Sequence, residues 1–279
     1  MSDIERKYVE RPISCIGYSE IDKYAIKVYE RQFNGHRNYG DATAINPTDL
    51  PDIDLLVGGF PCQAFSVAGK RLGFNETRGT LFFDIARILK EKQPRHLVLE
   101  NVKGLLSHDS GRTFTTIIGV LTDLGYSVEW QVLNSKNFGV PQNRERVYII
   151  GHLGNECGRQ VFPITRKNPV TCNEIGTITA IKGAEHSRRC YSLDGISPTV
   201  STMMGGNTEK KFLESSRIRR LTPTECERLQ GFPDNWTKYG EDEHGVRVDI
   251  SDSQRYKMAG NAVTVNTVQA VIERLIPCL

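Results

Sequence analysis

Val57-Gly58-Gly59-Phe60-Pro61-Cys62-Gln63-Ala64-Phe65-Ser66 continues a largely apolar run over residues 53–57. The run ends in two glycines, a proline and a cysteine. This is the pattern of a buried strand passing into a tight loop with a thiol at its tip. Glycine opens backbone conformations closed to other residues, and Pro61 fixes its own φ. A thiol held on a rigid turn at a strand's carboxyl end is placed as a nucleophile. The alternative is a cysteine that packs as a small hydrophobe, and the surrounding sequence decides between the two.

Upstream, residues 13–19 read as a short strand that ends at Glu20. Asp22 is positioned to cap a helix through about residue 33, with Tyr24, Val28 and Ile21 on one face. Gly40-Asp41-Ala42-Thr43 forms a turn. Downstream, residues 80–90 carry Leu81, Ile85, Ile88 and Leu89 at the spacing of one buried helical face, and Pro94 ends that helix. Residues 96–99 form the next strand, ending in Glu100-Asn101. Residues 113–124 are helical, with Gly125 as the cap. Strands follow over 126–133 and 147–150. Strands alternating with helices predict an α/β fold, a Rossmann-like, doubly wound and mostly parallel sheet with helices on both faces. Ligands bind such sheets at the carboxyl ends of their strands. Glu20, Cys62 and Glu100 each stand just past such an end, so all three are expected in one crevice.

The texture changes after residue 154. Residues 155–220 hold eleven Lys plus Arg against six Asp plus Glu, within a chain of net charge +3. This predicts a smaller, irregular second domain, with Arg188-Arg189 beside His186 suited to phosphate or base contact. A solvated basic surface is the plain alternative. Helical structure returns at Thr222-Pro223-Thr224-Glu225, a capping box with proline at the first helical position, and stops at Gly231-Phe232-Pro233. A final helix is expected over 261–275, with Val263, Val268, Val271 and Ile272 facing the core. Seven scattered cysteines without a C-x-x-C pair indicate neither a zinc site nor a disulfide framework. With no membrane-length apolar run and a charged first ten residues, they predict a cytoplasmic protein.

Several stretches together resemble the bacterial DNA cytosine-5 methyltransferases. The cysteine loop is similar to that family's Pro-Cys-Gln motif, and Glu100-Asn101-Val102 to its Glu-Asn-Val motif. Gln142-Asn143-Arg144-Glu145-Arg146 resembles its Gln-x-Arg-x-Arg motif, and Arg78-Gly79-Thr80-Leu81-Phe82 the segment after the cysteine loop. Arg220-Leu221-Thr222-Pro223 with Gln230-Gly231-Phe232-Pro233, and Gly260-Asn261-Ala262-Val263, resemble the two closing motifs. Each is weak alone, but the full set in the family's order spans nearly the whole chain.

The resemblance implies methylation of cytosine C5 in duplex DNA at a short specific sequence, with S-adenosylmethionine as donor and no metal. A restriction-modification system with a cognate endonuclease is the expected setting. Cys62 would add to C6, Glu100 would hold N3 and the exocyclic amine and supply a proton, Arg144 would stand near the cytosine O2, and Arg146 would order the site. The base must leave the helix to be reached. Glu20 would bind the ribose and Asp41 the adenine amine. Ile21 and Ala42 would flank the ring, Phe60 and Pro61 would line the pocket, and Asn261 would approach the methionine end. Three segments are implied: catalytic 1–154, target recognition 155–218, and closing motifs 219–279 that return to the catalytic domain. In the recognition segment, Arg189 is expected to read a guanine, His186 to enter the space left by the flipped base, and Thr199 to fix a phosphate.

The family also carries a strand and glycine-rich turn ahead of the ribose acid. Here nineteen residues precede Glu20, and none forms Gly-x-Gly. The reading favoured is a truncated or misassigned start; a second polypeptide supplying the piece, or a catalytically silent DNA-binding remnant, are the others. Methylation of tRNA by the related RNA-directed branch is a further alternative.

Overall fold

The computed structural model describes residues 13–61, 81–154, 159–166, 174–177, 189–192, 194–202, 209–215 and 217–279. Parallel strands β1 (Gly17–Tyr18) and β2 (Arg37–Asn38) are joined by α1 (Lys23–Gln32). α1 begins at the expected cap: the Asp22 carboxylate accepts from the N–H groups of Tyr24 (2.9 Å) and Ala25 (3.3 Å). These are donors that a helix start otherwise leaves open. Val28 is buried, whereas Ile21 precedes the helix and is 72% exposed.

Next come β3 (Leu55–Gly59), α2 (Leu81–Lys92), β4 (His96–Val102), α3 (Arg112–Asp123), β5 (Tyr126–Asn134), β6 (Gln142–Asn143) and β7 (Glu145–Leu153). The main sheet has the order β3-β4-β7-β5. The α/β reading holds, but the sheet is mixed. β3 and β4 are parallel, while β7 runs antiparallel to both β4 and β5. The stretch between β5 and β7 is too short for the crossover of a dozen or more residues that parallel neighbours require.

Alternation along the strands divides the core between the two faces. Leu97, Leu99, Val147 and Ile149 pack with Phe82, Ile85 and Leu89 of α2 and with Ile117 and Leu121 of α3. Val98, Tyr148 and Ile150 face the other way, toward Val271 and Leu275 near the end of the chain. A polar tie sits between His96 and His152, whose Nδ1 atoms lie 2.9 Å apart. Glu129 then accepts from the N–H groups of Val161 and Phe162, each at 2.9 Å. That tie fixes the chain where it leaves the main sheet.

The second sheet contains β8 (Glu174–Thr177), β9 (Arg189–Ser192), β11 (Lys211–Glu214) and β12 (Arg217–Arg220), in the order β12-β11-β9-β8; between β9 and β11, β10 (Ser197–Pro198) pairs instead with β6. α4 (Pro223–Leu229) starts with the expected capping box: the Glu225 N–H donates to Thr222 Oγ1 (3.3 Å), and the Thr222 N–H to Glu225 Oε2 (2.7 Å). A hairpin of β13 (Tyr239–Glu241) and β14 (Arg247–Asp249) precedes α5 (Asp252–Asn261) and α6 (Val265–Leu275). The one helix expected over 261–275 is therefore α6 alone. Asn261 closes α5, and extended backbone at Ala262 and Thr264 separates the two helices. Cys278 is disulfide-bonded, while Cys15, Cys190 and Cys226 are free thiols. No described helix is long and apolar enough to cross a membrane.

Candidate active site

Strand register assembles the centre of the site. Glu100 on β4 stands opposite Gly59 in the parallel pair and opposite Tyr148 in the antiparallel pair, and Val102 stands opposite Arg146. Glu100, Tyr148 and Arg146 therefore project from one face, with Arg146 as the diagonal neighbour of Glu100. Arg146 Nε lies 2.9 Å from Glu100 Oε1, with both side chains mostly shielded from solvent. Burial raises the Glu100 carboxyl above its ordinary value of 4.5, and the charges of Arg146 and Arg144 only partly oppose this. A carboxyl held toward its neutral form beside a fixed cation can donate a proton and accept a hydrogen bond at the same edge.

Arg144 is placed differently. It is 3% exposed, and its guanidinium donates to the carbonyls of Val200 (3.2 Å), Gly260 (3.1 Å) and Ala262 (2.8 Å). Burial first, and then the charge of Arg146, push it down to about 10, while Glu100 acts in the opposite sense. Arg144 thus binds β6–β7, the stretch after β10 and the α5–α6 junction together. Gln142 and Gln230 reinforce the same junction. Gln142 donates to the Leu229 carbonyl and accepts from the Val200 N–H, both at 2.8 Å. Gln230 donates to the Ala259 carbonyl (2.7 Å) and accepts from the Thr264 hydroxyl (2.9 Å).

The backbones approach so closely here that position 260 requires glycine: a Cβ would lie 2.5 Å from Ser201 C and Thr202 N. Gly260→Ala is expected to destabilise by about 1–3 kcal/mol through overpacking. Gly119→Ala, in α3 with open space around it, should be neutral or stabilise by roughly 0.5–1 kcal/mol. Urea midpoints of the two variants check the contrast, and equal midpoints would contradict it.

Asn101 sets the entry to the cysteine loop. It is buried, donating from Nδ2 to the Phe60 carbonyl (2.7 Å) and accepting at Oδ1 from the Val102 N–H (2.8 Å). The Phe60 ring packs 5.3 Å from that of Phe82 inside the core, leaving Pro61 exposed at the loop's start. Cys62 and His186 lie outside the described residues.

The expected cofactor residues Glu20, Ile21, Asp41 and Ala42 come together at the end of β1 and β2. Asn38 clamps them: its Oδ1 accepts from the N–H groups of Glu20 (3.2 Å) and Gly40 (2.9 Å), and its Nδ2 donates to the Glu20 carbonyl (3.1 Å). Glu20 Oε1 accepts from the N–H groups of Ile21 and Asp22, both at 2.8 Å. Asp41 accepts from the Thr43 N–H and hydroxyl, which hold its carboxyl below the usual range. Arg87 of α2 donates to the carbonyls of Ile45 (2.5 Å) and Ala42 (3.3 Å), tying this corner to the main sheet's covering helix. Two acceptor carboxylates beside the exposed side chain of Ile21 suit a ligand with sugar hydroxyls and a flat ring, so the residues fit a nucleoside cofactor. Asn261 lies between the residues whose carbonyls Arg144 binds, Gly260 and Ala262. Thr199 donates to the Asn143 carbonyl (2.6 Å), close to the arginine strand, and Arg189 Nε lies 3.4 Å from Glu174 Oε2 within the second sheet. No group of three or more His, Cys, Asp or Glu suited to a metal occurs among the described residues.

Asn38, Arg87, Gln142 and Gln230 organise the site without a sequence pattern that marks them as organisers. Each acts through backbone groups distant along the chain, so only the two glutamines carried a signal, as letters of the motifs.

The family model for C-5 cytosine-specific DNA methylases matches residues 4–195 and 173–277. The type II methyltransferase M1.ScrFI of Lactococcus lactis subsp. cremoris is 41% identical over 295 residues, covering 96% of this chain and 73% of that protein. M.HhaI of Haemophilus parahaemolyticus, also a type II methyltransferase, is 37% identical over 292 residues, covering 92% and 86%. The crystal structure of the Dnmt2 methyltransferase of S. pombe superposes with a TM-score of 0.71 at 20% identity, over 97% of this chain and 94% of that one, a likeness of fold.

Proposed function

The chain belongs to the C-5 cytosine-specific DNA methylases, and on that premise we propose that it methylates a flipped-out cytosine, at a short specific sequence in duplex DNA, through a covalent Cys62–C6 adduct. Cytosine C5 is a poor nucleophile. Addition of the Cys62 thiolate to C6, with a proton delivered at N3 from Glu100, turns C5 into an enamine carbon. S-adenosylmethionine, the methyl donor of this family, would be held by Glu20, Ile21, Asp41 and Ala42, with Pro61 and the Phe60 backbone alongside and Asn261 toward its methionine end. Once C5 has taken the methyl, with the donor's S–CH3 bond broken and S-adenosylhomocysteine left behind, loss of the C5 proton, return of the N3 proton to Glu100 and cleavage of the C6–S bond would release 5-methylcytosine and regenerate the thiolate.

The observation that carries this reading is the Glu100–Arg146 pair at the strand end that adjoins the cysteine loop. It also favours exchanging the two arginine roles expected from the sequence. Arg146 has its cation beside Glu100, where it can meet charge developing at the cytosine O2. Arg144, tied to three carbonyls, orders the surrounding backbone.

Residues 155–218 are proposed as the target recognition domain. In them Arg189 would leave Glu174 to read a guanine, Thr199 would fix a phosphate beside Asn143, and His186 would fill the gap in the duplex. Residues 219–279 return to the catalytic unit, a division supported by the packing of Val271 and Leu275 on the main sheet. Proposed partners are duplex DNA and a cognate restriction endonuclease. A second chain could add a glycine-bearing strand along β3, whose outer edge has no strand partner among the described residues and where Val57 is 58% exposed.

The test is transfer of labelled methyl from S-adenosylmethionine to mixed duplex DNA, with Cys62→Ala alongside and tRNA as competitor. Incorporation by the wild type that drops to background in Cys62→Ala and ignores tRNA is expected. Equal transfer by both proteins, or transfer by neither, overturns the mechanism.

A further inference from the structure

Gly59 has no conformational reason to be glycine. Its φ is not among the positive ones, and a Cβ there would meet Glu100 Oε2 at 3.5 Å and the Glu100 carbonyl at 3.7 Å, ordinary contact distances. Nothing else among the described residues comes within 4 Å of that position. Gly58 differs: its Cβ would point at Ile85 and Leu99, both at 3.8 Å, in the apolar core. Successive residues of a strand face opposite ways, so one glycine faces packing and the other faces the carboxylate. The Glu100 carboxylate is divided in the same sense. Oε1 is engaged by Arg146, and Oε2 lies over the bare surface of Gly59.

We propose that Gly59 is a specificity-determining position, whose missing side chain keeps Oε2 of Glu100 open to the edge of a flat pyrimidine. This rests on the reading of Glu100 as the group that holds the cytosine. A methyl at position 59 meets the described residues only at ordinary contact distances, but it covers the oxygen that must meet the base. The same methyl withdraws water from a carboxyl that burial already holds above its ordinary value. The chain therefore tolerates alanine at 59 as a fold and rejects it as a site.

The experiment compares wild type, Gly59→Ala, Gly58→Ala and Glu100→Gln. Methyl transfer to duplex DNA is measured across pH, together with thermal midpoints and binding of S-adenosylmethionine. For Gly59→Ala the expected result is an unchanged midpoint, unchanged cofactor binding and a fall in kcat/KM for DNA of at least about tenfold. Its pH limb governed by the Glu100 carboxyl moves to higher pH. Gly58→Ala keeps both rate and profile. Gly59→Ala with wild-type kcat/KM and pH profile, in an active wild-type background where Glu100→Gln is impaired, overturns the inference and leaves the proposed function standing. A wild type that transfers no methyl, or a Glu100→Gln variant as active as wild type, removes the functional reading and this inference with it.

Discussion

Glu100→Gln is expected to lower kcat for methyl transfer by roughly 10²–10⁴-fold, the range contributed by a positioned general acid. Glutamine keeps the shape and one acceptor oxygen but cannot give up a proton to N3. The loss should fall on kcat more than on KM, because the proton is needed in the transition state. Stability should move the other way with pH. Burial raises the folded-state value of the Glu100 carboxyl above 4.5, so the folded protein binds this proton more tightly than the unfolded chain. The stability linked to it is fully present below the unfolded value and is lost as pH rises through the folded one. Thermal midpoints of wild type and Glu100→Gln, followed upward from about pH 4, should diverge in favour of the glutamine variant as the wild-type carboxyl ionises. Parallel midpoints across that range, or unimpaired transfer, would remove Glu100 from its assigned role.

Arg144→Met carries the largest expected loss of stability, roughly 3–5 kcal/mol, because several buried carbonyls lose a charged donor at once. Methionine fills much of the volume but leaves the carbonyls of Val200, Gly260 and Ala262 without their donor. Each carbonyl left buried without a donor costs about 1–3 kcal/mol. Denaturant midpoints measure the loss. Arg146→Met should change the midpoint far less, since its partner Glu100 can take up a proton, yet should depress kcat strongly. The two variants thus separate a residue that holds backbone together from one that acts on the base. Similar stability losses in both would defeat that separation.

Local chemistry was legible in the amino-acid order. Asp22 and Thr222 cap the helices where their side chains predicted, because a cap needs only neighbours two or three residues away. The helix beginning at Leu81 was readable from one apolar stripe, whereas β4 runs past the expected end at residue 99 and through Glu100 to Val102, because Glu100, Asn101 and Val102 pair in register with Tyr148, Val147 and Arg146 of β7. The motif set named the reaction, since each motif is a short run whose chemistry lies in its residue types. The break between Asn261 and Val265 is not legible in the sequence, because Ala262, Val263 and Thr264 carry no proline or glycine to announce it.

From sequence alone came the α/β alternation, the family, and the choice of Cys62 and Glu100 as reacting groups. Tertiary structure alone decided that the sheet is mixed, that Arg146 rather than Arg144 stands beside Glu100, and that Gly59 rather than Gly58 faces the carboxylate. The reason is register. A strand's residue types set which side chains alternate, but only its pairing with a distant strand sets which of them meet. A shift of one residue in that pairing would turn every one of these side chains to the opposite face.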